Sequence, residues 1–358
     1  MRVDLVNGQN PDQAKKRIAF EFLTPIYPNE RVYLGKDNEQ LSMRLIDLIS
    51  PIGKGQRGII VAPPKAGKTT LLKDIALSVS KNYPNIKIFI LLIDERPEEV
   101  TDIKEALDAD NVEVIYSTFD EKSESHIKVA QTTLERAKRL TEQGYDTMIL
   151  LDSLTRLTRA NNLTVTPSGR TLSGGLDPAS FYFPKCLFGA ARNTREGGSL
   201  TILATALIET GSRMDDMVYE EFKGTGNMEL VLSRKLQEKR IFPAIDVQKS
   251  GTRREDLLLS KDEYEAMQII RKSLDQTTIE QATDSLLNMF EKTKDNEVLI
   301  KNILVSTKHK NNIVSFSYLL RLSIDRCTAY VRLSIRSMYS YVRLSIIDVQ
   351  LVRLSIRS

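Results

Sequence analysis

Apolar and polar positions follow two different periods along residues 58–207. Five apolar runs have the length of buried strands: residues 58–62, 87–93, 112–117, 147–151 and 200–206. Three longer stretches between them have apolar residues at helical spacing: residues 68–80, 97–107 and 123–143. Parallel strands are covered by helices on both faces, so they are apolar throughout, as these runs are. The pattern predicts an α/β fold with a mostly parallel sheet flanked by helices.

The rest of the chain is patterned less regularly. Two further apolar runs are predicted to extend the sheet: residues 229–232 and 240–245. Two amphipathic stretches are predicted to form C-terminal helices that close the domain: residues 261–272 and 278–293. Turn residues and short apolar pieces alternate near the start, as in a connector or small subdomain. We therefore predict three parts: a connector at residues 1–56, a core at 57–302 and a tail at 303–358.

The tail repeats a short motif. Arg-Leu-Ser-Ile recurs every ten or eleven residues, starting at Arg321, Arg332, Arg343 and Arg353. The tail holds nine Lys or Arg and two Asp, a net +7, which leaves −3 of the formal net charge of +4 to the rest of the chain. We interpret the tail as a low-complexity, disordered or β-prone extension, with an RNA-binding arm as the alternative. The basic pI gives no argument for nucleic-acid binding by the core.

Composition narrows the class of protein. The chain has two cysteines, Cys186 and Cys327, and two histidines, so neither a disulfide framework nor a His/Cys metal site is expected. No apolar stretch approaches the length of about 18 residues that a membrane span needs. The first residues lack the apolar region of a signal peptide. We predict a cytoplasmic protein.

The most informative motif joins the first core strand to the first core helix. Its sequence is Ala62-Pro63-Pro64-Lys65-Ala66-Gly67-Lys68-Thr69-Thr70. Such a turn directs backbone N–H groups at phosphate oxygens, and the helix start adds its positive dipole end. Lys68 would neutralise the β- and γ-phosphates, and the Thr69 hydroxyl would bind Mg²⁺. Ala62 stands where the strict motif has glycine, so an ordinary strand–helix turn remains the alternative.

Two acids follow other predicted strands. Asp152 ends the run at residues 147–151, where it could hold Mg²⁺ beside Thr69, or could cap the next helix instead. Glu95 follows residues 87–93, at the strand end where ligands gather in α/β sheets. It could activate the water that attacks a γ-phosphate. A helix-start acid is the alternative for Glu95, because Pro97-Glu98-Glu99 follows.

An arginine from outside the loop would complete a phosphoryl-transfer site. Arg253 lies in a glycine-containing turn well after the core strands, and Arg234 and Arg240 lie nearby in the sequence. For each of them, a solvated surface arginine is the default interpretation.

Several runs, in order, resemble the bacterial transcription termination factor Rho family, in which alanine stands at the first glycine position of the loop. Besides the phosphate loop they are Leu92-Ile93-Asp94-Glu95-Arg96-Pro97-Glu98-Glu99-Val100-Thr101, Leu151-Asp152-Ser153-Leu154-Thr155-Arg156, Phe188-Gly189-Ala190-Ala191-Arg192-Asn193, Glu220-Glu221-Phe222-Lys223-Gly224-Thr225-Gly226-Asn227-Met228-Glu229, Phe242-Pro243-Ala244-Ile245-Asp246 and Ser250-Gly251-Thr252-Arg253. The resemblance covers residues 18–302.

The resemblance implies a RecA-type P-loop ATPase core that forms a homohexamer and acts on RNA as a helicase in transcription termination. ATP and Mg²⁺ are the implied cofactors, single-stranded RNA the implied ligand and RNA polymerase a candidate partner. By position, the implied phosphate and Mg²⁺ groups are Lys65, Lys68, Thr69 and Asp152. Glu95 matches the base, Arg253 the arginine finger supplied in trans and Arg240 a second trans contact. Arg96 and Arg156 match a supporting network, and Phe242 the aromatic that stacks on adenine.

Two polar, glycine-containing loops would face RNA in such a ring. They span residues 165–175 and 210–213, and their matching RNA contacts are Arg170, Thr171, Gly174, Gly175, Gly211, Ser212 and Arg213. The family commonly has lysine where Arg170 and Arg213 stand, so the charge is kept but the hydrogen-bond geometry differs. Without the resemblance, ordinary surface loops would account for both segments.

The chain departs from the family in two places. The family's N-terminal RNA-capturing barrel has no counterpart in residues 1–56, and the repeat tail has no counterpart in the family. Two other functions therefore stay open: a rotary or export-type ring ATPase, and a catalytically idle RNA-binding or regulatory relic. The first of these commonly has a glycine-rich loop, which Ala62-Pro63-Pro64 is not.

Overall fold

The computed structural model describes residues 4–8, 10–35, 40–274 and 277–308. The chain divides into two compact units, Met1–Ile300 and Lys301–Ser358. Of the second unit, residues 301–308 are described, and they complete the last helix. The repeats of the predicted tail lie outside the described residues.

The first unit is built on a twisted mixed sheet. Within the described residues, the strands are β1 (Pro25–Ile26), β2 (Arg31–Val32), β3 (Ile52–Gly53), β4 (Arg57–Ala62), β5 (Lys87–Glu95), β6 (Val112–Thr118), β7 (Asp146–Asp152), β8 (Arg192–Thr194), β9 (Ser199–Leu207), β10 (Met228–Val231) and β11 (Gly251–Thr252). The main sheet has the spatial order β11, β10, β4, β9, β7, β5, β6, and β8 and β1 are added beside β9. The pairs from β10 to β6 are parallel, as the apolar runs predicted.

Helices cover both faces of this sheet. Those in the described residues are α1 (Pro11–Lys15), α2 (Leu41–Ile49), α3 (Lys68–Asn82), α4 (Pro97–Ala106), α5 (Ser123–Glu142), α6 (Leu154–Thr164), α7 (Tyr182–Gly189), α8 (Arg213–Lys223), α9 (Arg234–Glu238), α10 (Lys261–Leu274), α11 (Ile279–Glu291) and α12 (Asn296–Lys308). Their starts follow local chemistry. Pro97 occupies the first turn of α4, and Thr278 and Gln281 form a capping box at α11.

The core lies between the sheet and its helices. Ile60, Leu91, Ile149 and Leu203, from four neighbouring strands, are all fully buried. Burying side chains of this size stabilises the fold by about 1.5–3 kcal/mol each before the loss of chain entropy is counted. This core fixes the strand ends, and the strand ends position the site.

The prediction that residues 240–245 extend the sheet is wrong. These residues form turns, and Ile245 makes an isolated antiparallel bridge to Leu232. Pro243 has no N–H group to give to a strand ladder, so apolar character alone does not make this segment a strand.

Residues before β4 are more ordered than their sequence pattern suggested. Helix α2, which we did not predict, buries seven of its nine residues. The backbone N–H of Phe20 donates to the buried Glu142 carboxylate at 2.9 Å, and Arg17 pairs with the same carboxylate at 2.6 Å. These contacts attach the N-terminal segment to α5. Among the described residues, no helix is long and apolar enough to cross a membrane.

Candidate active site at the carboxyl edge of the sheet

The predicted phosphate loop connects β4 to α3 at the carboxyl edge of the sheet. The loop is open to solvent at Pro64, Lys65 and Gly67. Lys65 and Gly67 both have positive φ angles, 66° and 88°. Gly67 is the N-cap of α3 and offers no side-chain acceptor, so the first N–H groups of the helix keep their capacity to bind an anion. This is the local geometry of a phosphate cradle.

Lys68 lies at the centre of a charge cluster. Its Nζ donates to both oxygens of Asp152 at 2.7 Å and to Glu95 Oε1 at 3.1 Å. Asp152 is fully buried and Glu95 is 2% exposed. The structure thus brings together the lysine and both acids that the sequence predicted separately.

Asp152 is held by two hydroxyls. Thr69 Oγ1 donates to its Oδ2 at 3.3 Å, and Thr205 Oγ1, from β9, donates to its Oδ1 at 2.8 Å. Sequence reasoning missed Thr205, because threonine is common in strands and nothing else marks it. The helix that follows is capped by Ser153, whose hydroxyl accepts from the Arg156 N–H at 3.2 Å. Helix capping therefore does not account for Asp152.

Glu95 ends β5 and faces the cluster rather than the helix after it. Arg156 Nη1 lies 2.9 Å from Glu95 Oε1 and also donates to the Asp94 carbonyl. The N-cap of α4 is Arg96, which is exposed. A helix-start role therefore does not explain the position of the Glu95 carboxylate. Asp94, within β5, has a φ of 58°, and the pairing of β5 with β6 shifts register between Ile93 and Glu95.

The residues fit Mg²⁺ as part of a larger ligand set. Within the described part of the chain, no group of three or more His, Cys, Asp or Glu could hold a metal ion alone. The Thr69 hydroxyl and the Asp152 carboxylate are neighbouring oxygen donors, the type that Mg²⁺ prefers when substrate phosphates supply further ligands.

Phe242 and Arg240 lie at the same edge of the sheet as the loop. The segment that carries them leaves β10 beside β4, where Leu232 N–H donates to the Val61 carbonyl at 2.8 Å. It returns at Ala244, whose carbonyl accepts from Ser233 N–H at 2.8 Å. Phe242 is 58% exposed, so its ring is available for stacking at this edge of the sheet.

Arg253 lies at the opposite end of the sheet. It follows β11, in which Thr252 pairs with Met228, and Met228 pairs with Gly58 at the start of β4. Arg253 N–H donates to the Asn227 carbonyl at 2.8 Å, and Asn227 N–H donates to the Arg57 carbonyl at 2.9 Å, so Arg253 lies at the level of Arg57. Five residue steps along β4 lead from Arg57 to Ala62, roughly 16 Å at the usual rise. The structure does not bring Arg253 to the loop of its own chain.

The two predicted RNA loops meet each other. A Cβ on Gly174 would lie 2.7 Å from the Met214 N atom, next to Arg213, so only glycine allows this approach. The second loop is attached to α8 and α6 through Asp215. The Asp215 carboxylate accepts from Thr210 Oγ1 at 2.6 Å and pairs with Arg159, on α6, at 2.6 Å. Arg170, Thr171, Gly175, Gly211 and Arg213 are exposed, and Ser212 is half-buried.

Comparisons with known proteins show the family to which the chain belongs. Residues 42–252 match the ATP synthase alpha/beta family, nucleotide-binding domain. The chain is 56% identical over 297 residues to the transcription termination factor Rho of Bacillus subtilis, covering 83% of this chain and 68% of that protein. It is 55% identical over 303 residues to the Rho of Thermotoga maritima, covering 85% and 70%. The chain belongs to the Rho family of transcription termination factors.

Structural similarity confirms the fold of this Rho-family chain. An ATPase from the type III secretion system of pathogenic bacteria superposes with a TM-score of 0.65 and 24% identity, covering 85% of this chain and 93% of that one. The predicted RecA-type P-loop fold, a mostly parallel sheet flanked by helices, is confirmed. As a member of the Rho family with this nucleotide-binding domain, the chain is an ATP-binding P-loop hydrolase.

The electrostatics of the Rho-family site suit proton transfer. Burial raises the pKa of the Glu95 carboxyl, and the neighbouring Asp152 raises it further, while Lys68 and Arg156 oppose the shift. Burial alone would lower the pKa of Lys68, but the charges of Asp152 and Glu95 outweigh it and raise that pKa. Lys68 therefore stays charged, and Glu95 is closer than a surface glutamate to the range of a general base.

Proposed function

We propose that this chain couples ATP hydrolysis to the movement of single-stranded RNA through a homohexameric ring. The observation that carries the proposal is the separation of Lys68 and Arg253 at opposite ends of one sheet. A phosphate loop at one end, and at the other an exposed arginine that forms no ion pair with the described residues, suit a head-to-tail assembly in which each chain completes the site of the next.

The residues at the carboxyl edge would divide the work of hydrolysis. Lys68, with Lys65 and the backbone of the loop, binds the β- and γ-phosphates of ATP. Glu95 orients the attacking water and accepts its proton. Arg156 holds the Glu95 carboxylate in place, and the adenine stacks on Phe242. Arg96 is exposed at the N-cap of α4, and within the described residues it forms no hydrogen bond or ion pair with either acid.

A neighbouring chain would supply the remaining charge. Arg253 of that neighbour stabilises the negative charge that develops on the γ-phosphate, with Arg240 as a second contact across the interface. Thr69 and Asp152 would hold Mg²⁺, which when bound neutralises phosphate charge.

The paired loops at residues 165–175 and 210–213 would contact RNA. Their support is an exposed arginine on each, Arg170 and Arg213, and a shared anchor where Gly174 packs on the backbone of the other loop. Arginine can bind a backbone phosphate with two parallel hydrogen bonds, and polar loop groups suit the RNA 2′-OH. On family grounds, RNA polymerase is a candidate partner.

Steady-state ATPase assays with and without poly(C) test the proposal. A severalfold increase in turnover with poly(C), absent with poly(dC), is expected of an RNA-driven motor. Turnover that ignores RNA would support an export-type or rotary-type ATPase instead. No turnover at saturating ATP and Mg²⁺ would support an idle relic.

A further inference from the structure

A second cavity lies at the amino edge of the sheet, away from the phosphate loop. It measures about 400 Å³ and is formed by the β1 segment, the start of β4 and the turn between α7 and β8. Its polar lining comes from Arg57, Arg192, Asn227 and Tyr27. Arg57 begins β4, so the length of the strand separates the cavity from Lys68. The proposed hydrolytic site makes no use of it.

The two lining arginines carry charge that their surroundings do not balance. In the described part of the chain, neither Arg57 nor Arg192 has a carboxylate within ion-pair distance. Their hydrogen bonds are to carbonyls: Arg57 Nε donates to Thr225 O at 2.5 Å, and Arg192 Nε donates to Ala190 O at 3.2 Å. The Arg192 guanidinium also lies 4.6 Å from the centroid of the Phe20 ring, a contact that leaves its charge without a carboxylate. The terminal guanidinium nitrogens remain for another acceptor.

The charges around the cavity repel one another. Burial lowers the pKa of Arg57, and the positive charges of Arg192 and Arg253 lower it further. Burial also lowers the pKa of Arg192, and the negative charge of Glu21 opposes this shift. Glu21 lies 3.7 Å from Lys138, so the Lys138 ammonium partly neutralises the charge that Glu21 presents to Arg192. A half-buried group of like charges costs stability unless an anion joins it.

Other lining groups can complete such a site. Asn227 Oδ1 accepts from Arg57 N–H at 2.9 Å and from Gln56 Nε2 at 2.6 Å. Its Nδ2 group donates to no acceptor among the described residues, so it can donate to a ligand. Tyr27 is 64% exposed, and the Arg254 guanidinium lies 5.5 Å from its ring centroid. The ring offers a flat apolar surface beside the cations.

We propose that this cavity binds a small phosphorylated molecule, through Arg57, Arg192 and Asn227, independently of the phosphate loop. Guanidinium groups bind phosphate oxygens in a fork geometry, and the volume accommodates a diphosphate with a small organic group. The exposed Tyr27 ring suits a ligand that adds a planar group to its phosphates. This inference does not depend on RNA binding or on ATP turnover.

Pyrophosphate is the probe that tests the site with the least ambiguity. In the full chain carrying Lys68→Ala, which weakens the phosphate loop, equilibrium dialysis with radiolabelled pyrophosphate is expected to show saturable binding of one molecule per chain. Adding Arg57→Gln or Arg192→Gln to Lys68→Ala is expected to weaken that binding tenfold or more. Adding Arg136→Gln, which removes the same charge from the far surface of α5, is expected to change it less than twofold.

Two further measurements keep the outcome decisive. Unfolding temperatures of all variants check that the fold is intact, and if Arg57→Gln is unfolded, the change at Arg192 decides. ADP compared with pyrophosphate shows whether an organic group adds affinity through the Tyr27 surface. The proposal is overturned if the Lys68→Ala chain binds no pyrophosphate, or if the Arg136 control weakens binding as much as the cavity variants.

Discussion

At the scale of single residues, the candidate site depends on one lysine that balances two buried acids. Lys68 contacts both Asp152 and Glu95, and Arg156 adds a second positive charge on the Glu95 side. The protonation of Glu95 is therefore set by burial, by two repelling acids, Asp152 and Glu99, and by two attracting cations.

The pH dependence of hydrolysis should show this balance. Glu95 must be ionised to accept a proton, and its pKa is raised, so activity should fall on acidification at a pH above the ordinary glutamate pKa of about 4.3. Arg156→Gln removes a charge that opposes the shift, so the acid limb should move to still higher pH. The profile of kcat/KM between pH 5 and 9 measures this, and an acid limb that moves to lower pH in the variant would contradict the assignment.

Arg253 gives a second prediction at this scale. Arg253→Ala should lower turnover by about a thousandfold or more, as for other trans arginines in phosphoryl transfer, while nucleotide binding persists. The matched control is Arg254→Ala, because Arg254 is exposed and pairs with Asp256 at 3.0 Å. That variant should hydrolyse ATP normally.

Mixing two inactive variants separates a trans role from a structural one. Lys68→Ala chains keep Arg253, and Arg253→Ala chains keep Lys68, so mixed assemblies contain interfaces at which both groups are intact. Partial recovery of ATPase activity on mixing is expected. Complete absence of recovery, in assemblies shown to be mixed, would remove Arg253 from this role.

At the scale of elements, the sequence predicted the strands and helices whose positions depend on the periodicity of apolar residues. The strands at residues 57–62, 87–95 and 146–152 were predicted to within two residues, because buried parallel strands are apolar along their whole length. The loop, Asp152 and Glu95 followed, since the carboxyl ends of parallel strands share one edge.

The rest of the structure depends on contacts that a linear pattern does not contain. Residues 240–245 are apolar but include Pro243, and α2 is only nine residues long and buries the charged side chains of Arg44 and Asp47 beside its apolar ones. Thr205 and the amino-edge cavity arise where distant segments meet. The separation of Arg253 from Lys68 required the strand order and register.

The contact between the two loops gives a prediction about elements. Gly174→Ala would place a Cβ 2.7 Å from Met214 N and force the loops apart. Stimulation of ATPase by RNA should then fall severalfold, while turnover without RNA changes little. Gly169→Ala in the same loop is the control, because Gly169 has a similar φ of 77° but its Cβ would meet nothing within 4 Å. Both variants carry the same backbone strain, about 1–2 kcal/mol, so only the loop contact distinguishes them. Equal loss in both would mean that the contact is not needed.

At the scale of the whole molecule, the described core holds every residue assigned to hydrolysis. The tail repeats contribute none of them, and the family resemblance ends before they begin. A chain that ends at Thr307 should therefore keep its ATPase rate within about twofold of the full chain. Its particle mass in the presence of ATP should be that of an assembly of several shortened chains. Loss of most activity on this truncation would show that the tail is needed for the fold or the assembly.

The positions of the phosphate loop and Arg253 also decide what kind of assembly can work. Two copies related by a twofold axis would present like surfaces to each other, loop to loop or arginine to arginine, and would complete neither site. Under the proposed arrangement every interface is heterologous, so a closed ring has chemically different front and back faces. An RNA held in the centre of the ring would contact every subunit in the same orientation. The direction in which the RNA is pulled would therefore already be set by the order of β-strands within a single chain.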